Sequence, residues 1–305
     1  MTLISIYSIQ PDEFLSACLN SLDHSVRSKF VVDLFIVSAT PVGLQWIEKY
    51  SFPVNIWTLS SVKPYAQIAN LSFRRAMEKG YKNVMLLNSD TIVHPECIYN
   101  LNTIMSLSDK NGVLGGFQVK YGMGWDQPNQ WMENMLTTSK YKEILKHRNK
   151  SYTLIGSEYA QGACMIINLK CLNTVGCFNE SFKLFYEETE FCRRVINSNL
   201  RVAILKEAKV QHFEGGSWKK SKYLKIKRDI YYLSNQVIYE ATDSSVTDTN
   251  ILLKIIKIIK KQVKNVIRKN DNIYISLFLY PLVLVRILLK VPLLMSLYKL
   301  QHKSK

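Results

Sequence analysis

The stretch VMLLNSDTIVHPE, residues 84–96, decides the fold. Val84, Met85, Leu86 and Leu87 form a short, uninterrupted apolar run that follows Gly80-Tyr81 and stops at Asn88-Ser89-Asp90, ahead of Pro95. A run of this kind reads as a strand buried on both faces, as strands of a parallel sheet are, with a polar loop at its carboxyl end. Open α/β sheets bind ligands just beyond the carboxyl ends of their strands, so Asp90 falls where chemistry can occur. The alternative at this point is an aspartate that only caps a following turn or helix.

Working outward, the pattern alternates. TLISIYS reads as a strand, PDEFLSACLNSLDHSV as a helix with Phe14, Leu15, Cys18, Leu19 and Leu22 on its apolar face, and DLFIVSA as a second strand. VNIWTL is strand-like, AQIANLSFRRAMEKG is an amphipathic helix closed by Gly80, and VMLLN follows. This β-α-β-α-β order predicts an α/β fold with a mostly parallel sheet flanked by helices. ECIYNLNTIMSL is then predicted to be a helix and GVLGGFQV a short strand. Residues 121–158 show no clear period and read as a long loop with a helix around Lys140 to His147. Further on come a strand from Ala163 to Asn168, a turn from Val175 to Glu180, a helix opening at Glu187 to Glu190, and a strand pair ending at His212.

With 305 residues, 47% apolar and 21% charged, the chain can bury a sizeable core and is not a disordered one. Its six cysteines lack C-x-x-C or zinc-type spacing and read as reduced thiols of a cytosolic protein. The start, MTLISIYSIQ, has neither the basic nor the apolar region of a signal peptide, so the catalytic part is expected in the cytoplasm. The net charge is +16, and residues 251–305 hold twelve Lys and Arg against one acidic residue, Asp271. Most of the excess therefore belongs to the tail. There, ILLKIIKIIKKQVKNVIRK (251–269) sets Lys254, Lys257, Lys261, Lys264 and Arg268 on one helical face. The apolar segment 273–298 is broken by Pro281, Arg286, Lys290 and Pro292, which favours an interfacial or re-entrant segment over a spanning helix. These features predict a helical region, 246–305, that lies on an anionic membrane surface, attached to a domain spanning 1–245. A C-terminal helical pair packed on the domain, or a dimer contact, is the other reading.

Three acidic or metal-capable sites lie at the edges of regular elements: Asp90, the run Glu187-Glu188-Thr189-Glu190, and His212. Carboxylate oxygens suit Mg²⁺ or Mn²⁺, and an imidazole tips the choice toward Mn²⁺. Such an ion can neutralise a diphosphate leaving group, while one carboxylate kept off the metal takes a proton from an attacking hydroxyl; Glu188 is the candidate. Each feature alone also has an ordinary structural reading, since acidic residues favour helix N-termini. Their order, with Gly215-Gly216 just after His212, is what points to a site.

LLNSDT (86–91), GACMII (162–167), GCFNESF (176–182), YEETEFCRR (186–194) and VQHFEGGS (210–217) occur in that order. In this, residues 1 to about 240 resemble the family 2 inverting glycosyltransferases of GT-A fold, especially their bacterial rhamnosyltransferase-like branch. The resemblance implies a hexosyltransferase that takes a nucleotide-sugar donor with Mg²⁺ or Mn²⁺ and glycosylates a hydroxyl of a lipid-linked or cell-surface glycan such as an O-antigen, from the inner face of the cell membrane. By it, Asp90 matches the last aspartate of a D-x-D-like motif that binds metal and diphosphate, and Asn88 the first position. Glu188 matches the catalytic base, with Glu187 as fallback, and His212 a metal-ligand position. Arg194 and Asn70 match donor-side residues, although an ion pair with Glu190 also suits Arg194. Two positions depart from the pattern: Ser38 stands where the family carries a base-binding aspartate, and Glu188 replaces the usual Asp.

Three other classes fit less well. A nucleic-acid-binding protein would interleave aromatic residues with its basic ones. A nucleotidyltransferase would carry a Gly-rich phosphate loop where IYSIQPDE has no glycine. A catalytically silent sugar- or nucleotide-binding relative would not need the intact acidic constellation.

Overall fold

The computed structural model describes residues 1–25, 28–37, 42–139 and 141–213, and beyond them 228, 231, 232, 234–236 and 238–240. The predicted membrane-binding segments 251–269 and 273–298, the 245/246 boundary, Ser38 and Gly215-Gly216 lie outside the described residues. Among the described residues no helix is long and apolar enough to cross a membrane.

Four strands open the fold, β1 (Thr2–Ser8), β2 (Phe30–Ile36), β3 (Val54–Thr58) and β4 (Asn83–Asn88), interleaved with α1 (Glu13–Asp23), a 3₁₀ helix (Val42–Lys49) and α2 (Tyr65–Glu78). They pair in parallel in the order β3-β2-β1-β4, as the alternating pattern predicts. Asp12 starts α1 by accepting the Leu15 N–H at 3.0 Å. Then follow β5 (Thr91–Val93), α3 (Cys97–Ser106), β6 (Asn111–Lys120), α4 (Gln130–Thr138), β7 (Lys142–His147), β8 (Lys150–Gly156), β9 (Cys164–Asn168), α5 (Leu169–Val175), α6 (Glu187–Asn197) and β10 (Arg201–His212). The ten-stranded sheet runs β3-β2-β1-β4-β9-β6-β10-β8-β7, with β5 paired to β10.

Both sheet faces are covered, and the strands alternate between two cores. Ile4, Ile6, Met85, Leu87, Cys164 and Ile166 join α1 and α3, while Leu3, Val84, Leu86, Met165 and Ile167 join α2, α5 and α6. This period of two explains why strands 84–87 and 164–167 read as continuous apolar runs: each side chain has a helix to meet. Buried Asp33 on β2 is neutralised at 2.7 Å by Arg75 of α2, whose guanidinium lies 3.7 Å over the Trp57 ring.

The predicted mostly parallel sheet is a mixed one, in which β9 runs antiparallel to both neighbours, β4 and β6. The sequence reading needs two corrections. The expected loop over 121–158 contains α4 and a β-hairpin, and Lys142–His147 is a strand, not a helix. KEILKH alternates exposed and half-buried residues, and the two residues after it, Arg148 (φ 45°) and Asn149 (φ 62°), form the left-handed pair of a primed two-residue hairpin turn. The expected strand pair ending at His212 is one strand, β10, whose register on β6 slips from Leu205↔Gly116 to Lys209↔Phe117. The extra residues re-phase the strand, so that Ala203 and Leu205 before them and Ala208 and Val210 after them share one core.

The chain divides into two compact units, 1–180 with 187–216, and 181–186 with 217–305. In the second, Phe185 and Tyr186 take left-handed backbone (φ 66° and 71°), Asn235 donates to the Leu184 and Phe185 carbonyls, and Tyr186 packs on Tyr232 and Tyr239. All six cysteines are free, and burial pushes the thiols of Cys18, Cys171 and Cys192 up to about 12, so they serve as small apolar side chains.

Candidate active site

Asp90 follows β4, the strand at which the order 3-2-1-4 reverses direction, and so stands at the switch point where such sheets bind ligands. The chain turns there because the Thr91 hydroxyl donates to the Asn88 carbonyl at 2.7 Å. It then reverses into β5, which pairs with the end of β10, His212 opposite Thr91. The Phe213 N–H closes the ladder on the Asp90 carbonyl at 3.0 Å. These pairings hold His212 Nε2 3.3 Å from Asp90 Oδ1 and 3.4 Å from Asn88 Nδ2. His212 Nδ1 is buried with no hydrogen-bond partner among the described residues.

An imidazole nitrogen facing a carboxylate at this distance either donates a proton to it or shares a cation with it. Adjacent ligands of an octahedral ion bound at 2.0–2.1 Å lie about 3 Å apart, so the pair fits two neighbouring positions on Mg²⁺ or Mn²⁺. Among the described residues no third His, Cys, Asp or Glu joins them. That suits an ion which takes its other ligands from water and substrate phosphates.

The second half of the site is the N-terminus of α6. Glu187 and Glu188 open this helix, and the Oε2 atom of each is buried without a hydrogen-bond partner among the described residues. The backbone N–H groups of Glu188 and Gly162 favour the ionised form of Glu188, though less than burial opposes it. Burial raises the Glu188 carboxyl above its ordinary range; burial and, second, the Glu188 charge push Glu187 well above it. Glu187, 4% exposed, is the more enclosed of the two.

Gly162-Ala163 lies near both halves. The Gly162 N–H favours the ionised Glu188, the next residue, Ala163, accepts the Asn88 N–H at 3.0 Å, and Cys164 then pairs with Leu87 in the β9–β4 ladder.

Asn70 and Arg194 are engaged elsewhere. Asn70 on α2 is buried, donates to the Phe178 carbonyl and to Glu180, and accepts the Phe178 N–H, each at 2.9 Å. Arg194 makes a bidentate pair with Glu190 at 2.8 and 2.9 Å and donates to the carbonyls of Val175 and Cys177. Both brace the turn between α5 and α6, and for Arg194 this is the ion-pair alternative raised by the sequence. Gly162 and Tyr65, which the motif reading passed over, belong to the site: the Tyr65 hydroxyl donates to the Gly162 carbonyl at 2.9 Å. Gly162 could have been found from GACMII; Tyr65 carries no local signal beyond its place after Pro64.

No protein-family model matches the chain. Over 134 residues it is 25% identical to the low-salt glycan biosynthesis hexosyltransferase Agl10 of Haloferax volcanii, a match covering 44% of this chain and 43% of that protein's length. The chain thus matches less than half of that relative. Among solved structures it is similar to the mannosyltransferase PcManGT of Pyrobaculum calidifontis in complex with GDP-Man and Mn²⁺ (TM-score 0.57, 8% identity, 98% of this chain and 86% of that one). It is also similar to S. aureus TarS 1–349 in complex with UDP-GlcNAc (TM-score 0.54, 15% identity, 84% of this chain and 72% of that one). At these identities the likeness shows the fold: the α/β sheet flanked by helices is one that these nucleotide-sugar complexes share.

Proposed function

We propose that the protein is an inverting glycosyltransferase that moves a sugar from a nucleotide-sugar donor to an acceptor hydroxyl. The observation that carries this reading is a cation- and phosphate-suited pair, Asp90 and His212, together with a buried carboxylate, Glu188, whose Oε2 has no hydrogen-bond partner among the described residues, both near Gly162-Ala163. The complexes of similar fold with GDP-Man and UDP-GlcNAc support the donor class.

In the proposed reaction Glu188 takes the proton from the acceptor hydroxyl as its oxygen bonds to the anomeric carbon. The bond from that carbon to the diphosphate breaks, and its electron pair leaves on the phosphate oxygen. A raised carboxyl suits the base, because a proton acceptor works best with a pKa nearer the working pH. Asp90 and His212 would hold Mg²⁺ or Mn²⁺, which when bound offsets the negative charge of the departing diphosphate. Asn88 adds a neutral amide beside them, and burial disfavours a second negative charge on Glu187, in the same helix start. Asn70 and Arg194 act on the donor side through the turn that they brace.

The finer assignment rests on the sequence. The basic 251–269 segment and the apolar 273–298 segment support a lipid-linked or cell-surface glycan acceptor met at the cytoplasmic face of a membrane. Rhamnose carried on dTDP is the donor that the motif resemblance favours. The test is nucleoside diphosphate release from dTDP-, UDP- and GDP-sugars, with Mn²⁺, Mg²⁺ or chelator, with and without a lipid extract as acceptor source. Metal-dependent release from one donor is the expected result; no release, and no binding of any donor by calorimetry, overturns the reading.

A further inference from the structure

Thr91 lies at the centre of the Asn88–Asp90–His212 group. It follows Asp90 in the chain, stands opposite His212 in the β5–β10 ladder, and is fully buried. Its hydroxyl donates to the Asn88 carbonyl at 2.7 Å, across the turn that carries Asp90. The Ala163 carbonyl accepts the Asn88 N–H at 3.0 Å, so both main-chain polar groups of Asn88 are engaged. From the α1 side, the Ser21 hydroxyl donates to the Cys18 carbonyl at 2.7 Å and accepts the Val93 N–H at 3.1 Å, which anchors β5. The Cys18 thiol sits 3.6 Å from the Asn88 carbonyl oxygen and 3.7 Å from the Thr91 hydroxyl. A thiol is a weak donor, so it does not replace the hydroxyl on that carbonyl. An inward-facing carbonyl that loses its donor carries a desolvation cost, and a turn stripped of this bond shifts to find another.

We propose that Thr91 is a positioning residue for the Asp90–His212 pair: its hydroxyl closes the turn on Asn88, and that closure sets Asp90 Oδ1 3.3 Å from His212 Nε2, the spacing of two neighbouring ligands of one divalent cation.

The proposal rests on the glycosyltransferase reading for what the pair binds, but not for how it is held. Two effects bear on the pair. The β5–β10 ladder brings the main chains together, with His212 opposite Thr91 and the Phe213 N–H on the Asp90 carbonyl. Any residue suited to a strand serves that ladder at position 91, and valine serves it as well as threonine. The turn from Asn88 to Asp90 lies outside the ladder, and there the hydroxyl is what counts. Substitution therefore separates the two effects.

Thr91→Val keeps the shape and the strand propensity and removes the donor, whereas Thr91→Ser keeps the donor and removes a methyl group. The full-length protein is titrated with Mn²⁺ in the presence of dTDP, UDP or GDP. Thr91→Val is expected to weaken Mn²⁺ binding by about tenfold, the lower end of what losing a group behind a metal ligand costs, and Thr91→Ser to stay within about twofold of wild type. Equal affinities in wild type and Thr91→Val overturn the proposal. So do equal losses in both variants, because the methyl group and not the hydroxyl would then matter. A second measurement needs neither metal nor turnover: crystal structures of wild type and the two variants. An Asp90 Oδ1 to His212 Nε2 separation that changes by about 0.5 Å or more in Thr91→Val and is kept in Thr91→Ser supports the proposal. An unmoved separation in Thr91→Val overturns it. If the wild type binds no Mn²⁺ with any of the three diphosphates, the cation reading falls by itself, and the crystal structures decide the role of Thr91.

Discussion

His212 Nε2 stands 3.3 Å from Asp90 Oδ1, an imidazole at the end of β10 brought against a carboxylate just past β4. The short antiparallel ladder between β5 and β10 makes the pair, with His212 opposite Thr91. If the two are neighbouring ligands of one ion, His212→Ala and Asp90→Asn should each weaken Mn²⁺-dependent binding of the nucleoside diphosphate by at least about tenfold. Calorimetry with and without chelator measures this. Equal diphosphate affinity with and without metal in the wild type would remove the ion from the site.

Glu188→Gln keeps the shape of the side chain and cannot accept a proton. Turnover should fall by about 10²–10⁴, the usual worth of a general base, with donor affinity largely retained. Glu187→Gln, by contrast, should leave turnover within about tenfold of wild type, because burial disfavours a charge on that carboxyl. A larger loss in Glu187→Gln than in Glu188→Gln would exchange the two roles.

The same buried Glu187 sets a pH dependence of stability. Its folded pKa lies well above the ordinary value of 4.5, so the folded chain binds the proton more tightly than the unfolded chain does. Stability is thus greatest below about pH 4.5 and is lost as pH rises through the folded value. Glu187→Gln removes this loss, so its melting temperature should exceed that of wild type near neutrality, and the gain should shrink on acidification. A gain that is constant with pH would show that Glu187 does not titrate in this way.

Arg194 and Glu190 are a buried pair, with side chains 17% and 4% exposed. Removing one partner strands the other's charge, which typically costs about 3–5 kcal/mol, whereas replacing both with apolar residues costs far less. Urea unfolding of Arg194→Met should show the large loss, and Arg194→Met combined with Glu190→Leu should recover much of it. If the single and double variants are equally destabilised, the carbonyl contacts to Val175 and Cys177 are the main contribution.

Much of this was legible in the residues. Four apolar residues closed by Asn-Ser-Asp put Asp90 at the end of a buried strand, because only a strand covered on both faces needs no polar alternation. The helices carried their own period and caps, and Glu187-Glu188 marked the start of α6 because acidic side chains suit a helix N-terminus. These are local effects, written in spacings of two to four residues.

What the sequence could not determine is which distant segments meet. Residues 142–147 and 150–156 read as helix and loop until β8 pairs with β10 and gives their alternation a sheet to join. Asn70 and Arg194 match donor-side residues in the sequence, and only the structure shows that their hydrogen bonds go to the turn at 175–180. Nothing in GACMII says that its strand enters antiparallel beside β4, yet that pairing goes with Ala163 set against Asn88 and Gly162 against Tyr65. Backbone pairing between remote strands is paid for in chain entropy and settled by the whole core, so only the tertiary structure decides it.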